Sequence, residues 1–98
     1  MAQFDVYRTP DGQLILDCQA DSLGFLGSRL VVPLMRLEEA PPRRARLSPM
    51  FDIEGERYAM VTQFAAALSR GALQTYIANL NAYRFDIISA FDMMLTGV

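Results

Sequence analysis

The chain of 98 residues contains no histidine, no tryptophan and no lysine, and its one cysteine is Cys18. A structural zinc site of the Cys/His kind takes about four such ligands, so none can form, and a single thiol cannot make an internal disulfide. An oxidising compartment is therefore not indicated. All nine cations are arginines, which removes the amine that Schiff-base and P-loop chemistry depend on. No run approaches the roughly 18 consecutive apolar residues of a spanning helix, and Met1-Ala2-Gln3-Phe4-Asp5 lacks the basic-then-apolar layout of a signal peptide. The expectation is a cytoplasmic protein with no membrane contact and no cofactor.

What is present describes one globular domain over residues 1–98, with 52% hydrophobic and 20% charged residues. A chain this short buries only about 60–65% of its unfolded surface, so an oligomeric interface is expected to add stability. The formal charge of −2 and pI near 4.9 argue against a general nucleic-acid binder, whose affinity rests on phosphates neutralised by Lys and Arg.

The first two thirds read as strands. Phe4 and Val6 alternate with Gln3 and Asp5, Asp11-Gly12 supplies a turn, and Leu14, Leu16 and Cys18 then share one face while Asp17 and Gln19 share the other. Residues 22–28 read as a loop, and 29–35 as a nearly continuous apolar strand that Pro33 places at an edge or a bulge. Residues 38–49 hold three of the five prolines and three arginines, the composition of a long surface loop. A second hairpin runs from Met50–Ile53 through Glu54-Gly55 to Glu56–Thr62. Phe64–Ala78 stays open between helix and strand, because Ala65-Ala66-Ala67 favours helix whereas Gly71 interrupts it.

The last stretch is the clearest. At about 100° per residue, Ile87, Ile88, Phe91, Met94, Leu95 and Val98 fall on one arc and Asp86, Ser89, Asp92 and Thr96 on the opposite one, an amphipathic helix over about 84–97. The fold expected is mainly β: a small antiparallel barrel or curled sheet closed by a C-terminal helix.

Few residues suggest bond-making chemistry. Cys18 lies on the apolar face of its strand, as a structural thiol does. The acids Glu38-Glu39 and Asp52, Glu54 and Glu56 lie in loops and turns, where carboxylates are usually solvated. Arg43, Arg44 and Arg46 suit a phosphate or a carboxylate-rich peptide, because guanidinium forks match both. The helix end carries an electrostatic imbalance. A cation there contributes roughly 0.3–1 kcal/mol, yet nothing basic follows Arg84, so a cationic partner would relieve it, the plain alternative being a frayed terminus. Met93 projects among polar positions, as a Met at an adaptable protein contact does.

Taken in order, the motifs resemble the CcdB family, small toxins of bacterial toxin–antitoxin modules. They are Gln3-Phe4-x-Val6-Tyr7, Asp17-x-Gln19-x-Asp21, Gly27-x-Arg29-x-Val31-x-Pro33-Leu34, Ile53-x-Gly55-Glu56 before Met60-x-Thr62, and Asp86-Ile87-x-x-Ala90-x-x-x-Met94-x-x-Gly97-Val98. The resemblance implies a homodimer of SH3-like barrels whose C-terminal helices lie side by side. It implies binding to the A subunit of DNA gyrase, trapping of the covalent gyrase–DNA complex, and neutralisation by a CcdA-like antitoxin that wraps the dimer and represses the shared operon with it. DNA is met only through the antitoxin. The implied gyrase contacts are Asp92, Leu95, Thr96, Gly97 and Val98, with Ser22 and Leu23 second; Arg43, Arg44 and Arg46 are candidates for the antitoxin's acidic segment.

The family's terminal motif is Trp-Gly-hydrophobe, and here Thr96 stands where the aromatic belongs. Two alternatives follow. One is a MazF-like endoribonuclease using Arg43, Arg44 and Arg46 with Ser48 or Thr62. The other is a non-toxic homologue kept as the antitoxin's partner.

Overall fold

Asp11-Gly12 turns the chain back as expected, with Gly12 at φ 89°, and joins β1 (Asp5–Arg8) to β2 (Leu14–Asp17). The structure is a computed structural model describing residues 1–98. The chain continues through a short 3-10 turn at Asp21–Leu23 into β3 (Ser28–Arg36), the longest strand. After the 38–49 loop come β4 (Met50–Ile53) and β5 (Glu56–Met60), joined by Glu54 at φ 51° and Gly55 at φ 80°. Two positive φ values in succession match the twist that a tight hairpin requires. Phe64–Ala78 resolves into β6 (Ala66–Ser69) and β7 (Thr75–Asn79) around a single 3-10 turn. The final element is α1 (Arg84–Thr96).

All strand pairs are antiparallel, in the order β4-β5-β3-β2-β1-β7, with β6 beside the first half of β3. The result is a curled antiparallel sheet with one C-terminal helix. β6 is a strand despite its alanines because Val31, Leu30 and Arg29 of β3 offer a backbone ladder to Ala66, Ala67 and Leu68. A ladder that satisfies several backbone groups outweighs helix propensities of a few tenths of a kcal/mol each.

β3 is an interior strand, so Pro33 is not at the edge of the sheet. Its carbonyl accepts from Val61 N at 3.0 Å, so its ring nitrogen faces the same side, in the gap where β3 changes partner from β6 to β5. No ladder bond is lost there.

The main core gathers Phe4, Leu16, Val32, Leu34, Phe51 and Met60 with Ile87 and Ala90 of α1. A second cluster of Tyr7, Ile15, Val31 and Leu73 covers the other face of β1 and β2. Both faces of β2 are therefore buried, and Asp17 and Gln19, expected on a polar face, are buried as well. Asp17 is enclosed with Arg29: its Oδ2 lies 2.6 Å from Nη2 and accepts from Nε at 3.0 Å. Its Oδ1 accepts from Gln19 N at 3.1 Å. Pairing lets two charges leave water together, a cost of several kcal/mol for either alone.

Candidate functional site

α1 begins where the chain turns down from β7. Its first residue, Arg84, donates to Gln3 Oε1 at 3.0 Å and lies 5.6 Å above the Phe4 ring. The helix touches the sheet along a narrow stripe, with only Ile87 and Ala90 fully buried and Phe91 packed beside them. Much of the apolar arc drawn from the sequence therefore faces outward: Leu95 is 79% and Val98 77% exposed, with Ile88 and Met94 also open. Met93, expected to project, is half-buried, and Met94 takes the exposed place. The displacement arises because the sheet contacts the helix at Ile87 and Ala90, so the buried direction is rotated from the sequence-derived arc.

Phe85 was missed in the sequence and is 85% exposed. The helical period sets Phe85, Ile88, Asp92 and Leu95 on one side, an outward apolar face interrupted by one carboxylate. Its signal was present, since an aromatic residue two positions before the buried Ile87 cannot share that residue's face.

The helix end is tightly secured. Gly97 adopts φ 78° and donates its N–H to Met93 O at 2.8 Å, the left-handed cap that glycine makes without steric cost. The Thr96 hydroxyl donates to Asp92 O at 2.6 Å and accepts from Val98 N at 3.3 Å.

A cation at the helix end is supplied by the same chain. Arg46 donates to Ser89 Oγ at 2.6 Å, to Ser89 O at 3.2 Å and to Val98 O at 2.5 Å. Sequence reading placed Arg46 in a solvated loop because a contact spanning over forty positions leaves no local signature.

The other sequence candidates divide. Arg43 donates to Ser48 O at 3.0 Å inside its own loop, and Arg44 is exposed with no side-chain hydrogen bond or ion pair. Ser22 and Leu23 are exposed in the Asp21–Leu23 turn, next to Asp21, whose Oδ1 accepts from Gln3 N at 2.8 Å. Gln3 in turn accepts from Arg84 of α1, and no hydrogen bond or ion pair joins Ser22 or Leu23 to Thr96, Gly97 or Val98 within one chain. Ser48 and Thr62 are buried, and the Thr62 hydroxyl donates to Leu47 O at 2.5 Å; neither is available to attack or orient RNA. Burial raises the Cys18 thiol well above its ordinary pKa, with the Asp17 charge adding to the effect. A surface depression of about 410 Å³ is lined by Arg8, Asp11, Arg36, Glu39 and Tyr58 among others. Its two arginines are already paired, Arg8 with Glu54 at 2.9 Å and Arg36 with Glu56 at 2.8 Å.

A curled antiparallel sheet, a helix held by a thin stripe and large apolar side chains carried outward on a capped tip present a surface of the kind that contacts other proteins. The family model described as CcdB protein matches residues 3–97, and the chain belongs to that family. It is a toxin-type component of a toxin–antitoxin system and not an enzyme. No helix is long and apolar enough to cross a membrane.

Proposed function

We propose that the protein acts as a homodimer whose helix tips bind the A subunit of DNA gyrase and trap the covalent gyrase–DNA complex. Asp92, Leu95, Thr96, Gly97 and Val98 make the contact, with Ser22 and Leu23 second. The observation that carries this reading is the exposure of Leu95 and Val98 at 79% and 77% on a helix end closed by the Gly97 cap and the Thr96 hydroxyl. Large apolar side chains held rigidly in water lose little further entropy on docking, which is what an interface anchor requires. The outward Phe85 and Ile88 support α1 as the dimer contact. A CcdA-like antitoxin neutralises the dimer and represses the operon with it.

The test is a cleavage-complex assay with purified gyrase and supercoiled plasmid. The full chain is expected to accumulate linear DNA after detergent and protease treatment, and a variant lacking Gly97 and Val98 to accumulate none while its unfolding transition is preserved. Linear DNA at the same level with the truncated variant refutes the tip as the contact; none with the full chain refutes gyrase poisoning.

A further inference from the structure

Ser89 and Val98 are nine residues apart, and a helix continued straight would set them about 13.5 Å apart at 1.5 Å per residue. Yet one guanidinium bonds both: Arg46 Nη2 reaches Ser89 O at 3.2 Å while its Nη1 reaches Val98 O at 2.5 Å, and Nε takes the Ser89 hydroxyl at 2.6 Å. The chain beyond Gly97 is therefore folded back along the helix, and Arg46 spans the fold.

The side that supplies Arg46 is itself anchored. Within its loop Ser48 N donates to Arg44 O at 2.8 Å, and Arg43 donates to Ser48 O. Beyond it Thr62 holds Leu47 O, and Met60 N donates to Pro49 O at 2.9 Å. The guanidinium thus comes from a turn bonded to β5 and its continuation rather than from a floating loop. It is also the cation the helix end lacks, since no basic residue lies in the last turn of α1. Hydrogen bonds from a charged donor are roughly twice as strong as neutral ones.

We propose that Arg46 is a positioning residue for target binding: it fixes the direction of Gly97-Val98 and so sets how Leu95 and Val98 are presented. The inference rests on the reading that this tip meets the gyrase A subunit. It gives Arg46 a role at the helix tip within the chain itself.

The experiment compares the full chain with Arg46→Gln, Arg46→Lys and Arg44→Gln, the last removing the same charge from the same loop without touching the helix. Amide hydrogen exchange read by NMR is expected to accelerate about tenfold at Gly97 and Val98 in Arg46→Gln, with β2 and β3 amides unchanged. Affinity for the purified gyrase A subunit is expected to fall about tenfold, equivalent to 1.4 kcal/mol. Arg46→Lys, which keeps the charge without the fork, is expected between the two, and Arg44→Gln at the wild-type level in both measurements. Unchanged exchange in Arg46→Gln overturns the proposal, as does an equal loss of affinity in Arg44→Gln and Arg46→Gln. Accelerated exchange with unaltered affinity also overturns it, because the tip would then bind without being positioned. If the unaltered chain does not bind the gyrase A subunit, the functional reading fails, and the exchange data alone decide whether Arg46 holds the tip.

Discussion

Replacing Asp17 by Asn keeps the shape of a side chain that is 0% exposed and removes the negative charge facing an Arg29 that is 1% exposed. Arginine does not give up its proton in a protein, so the guanidinium stays charged in a setting without water. Breaking a buried pair from one side costs about 3–5 kcal/mol, against a total of about 5–15 kcal/mol for a domain. At about 4–8 °C per kcal/mol for a chain of this size, the melting temperature falls by roughly 12–40 °C. Replacing both partners with apolar residues of similar volume, Asp17→Leu with Arg29→Met, removes both desolvation costs, and that double variant is expected to recover most of the loss. The assay is thermal and urea unfolding at one fixed protomer concentration, because association shifts apparent stability. A loss below about 1 kcal/mol for Asp17→Asn refutes the reasoning. So does a double variant no more stable than the single, which would mean that packing and not charge holds Asp17 in place.

Two further outcomes follow from the same geometry. Tyr7 donates its hydroxyl to Asp5 Oδ2 at 3.2 Å, and its pKa is pushed from 10.0 up to about 12, first by burial and then by the Asp5 charge. The folded state keeps a proton that the unfolded chain releases, so stability is full below about pH 10 and declines through about pH 12. Tyr7→Phe is expected to flatten that alkaline decline in urea unfolding across pH, and an unchanged slope counts against the assignment. Thr96→Trp restores a ring able to stack on a guanidinium, worth about 1–2 kcal/mol. Affinity for the gyrase A subunit is expected to rise roughly 5- to 30-fold by calorimetry, and an unaltered or weaker affinity shows that the missing ring does not limit binding.

Much of the fold was legible because it is written in short-range pattern. Asp11-Gly12 and Glu54-Gly55 announce turns whose glycines take φ of 89° and 80°, and alternation around them gives β1, β2, β4 and β5. The helix was legible in its period but not in its orientation, since whether Leu95 or Met93 faces the sheet depends on the position of Ile87 and Ala90 against β-strands far away in sequence. The candidate residues at the tip came only from the family's order of motifs, not from any local pattern. Ser22 and Leu23 carried no hint of their place in the fold, an exposed turn next to the Asp21 that holds Gln3.

The sequence by itself determined the chemistry this protein lacks, through its missing histidine and lysine, and the local elements, through turn residues and periodicity acting within a few positions. The tertiary structure alone decided that 66–69 is a strand, that Asp17 is buried against Arg29, and that Arg46 closes the helix end at Val98. Each of these joins groups distant along the chain, and their free energy comes from removing water and pairing charge between surfaces that meet only once the sheet has curled.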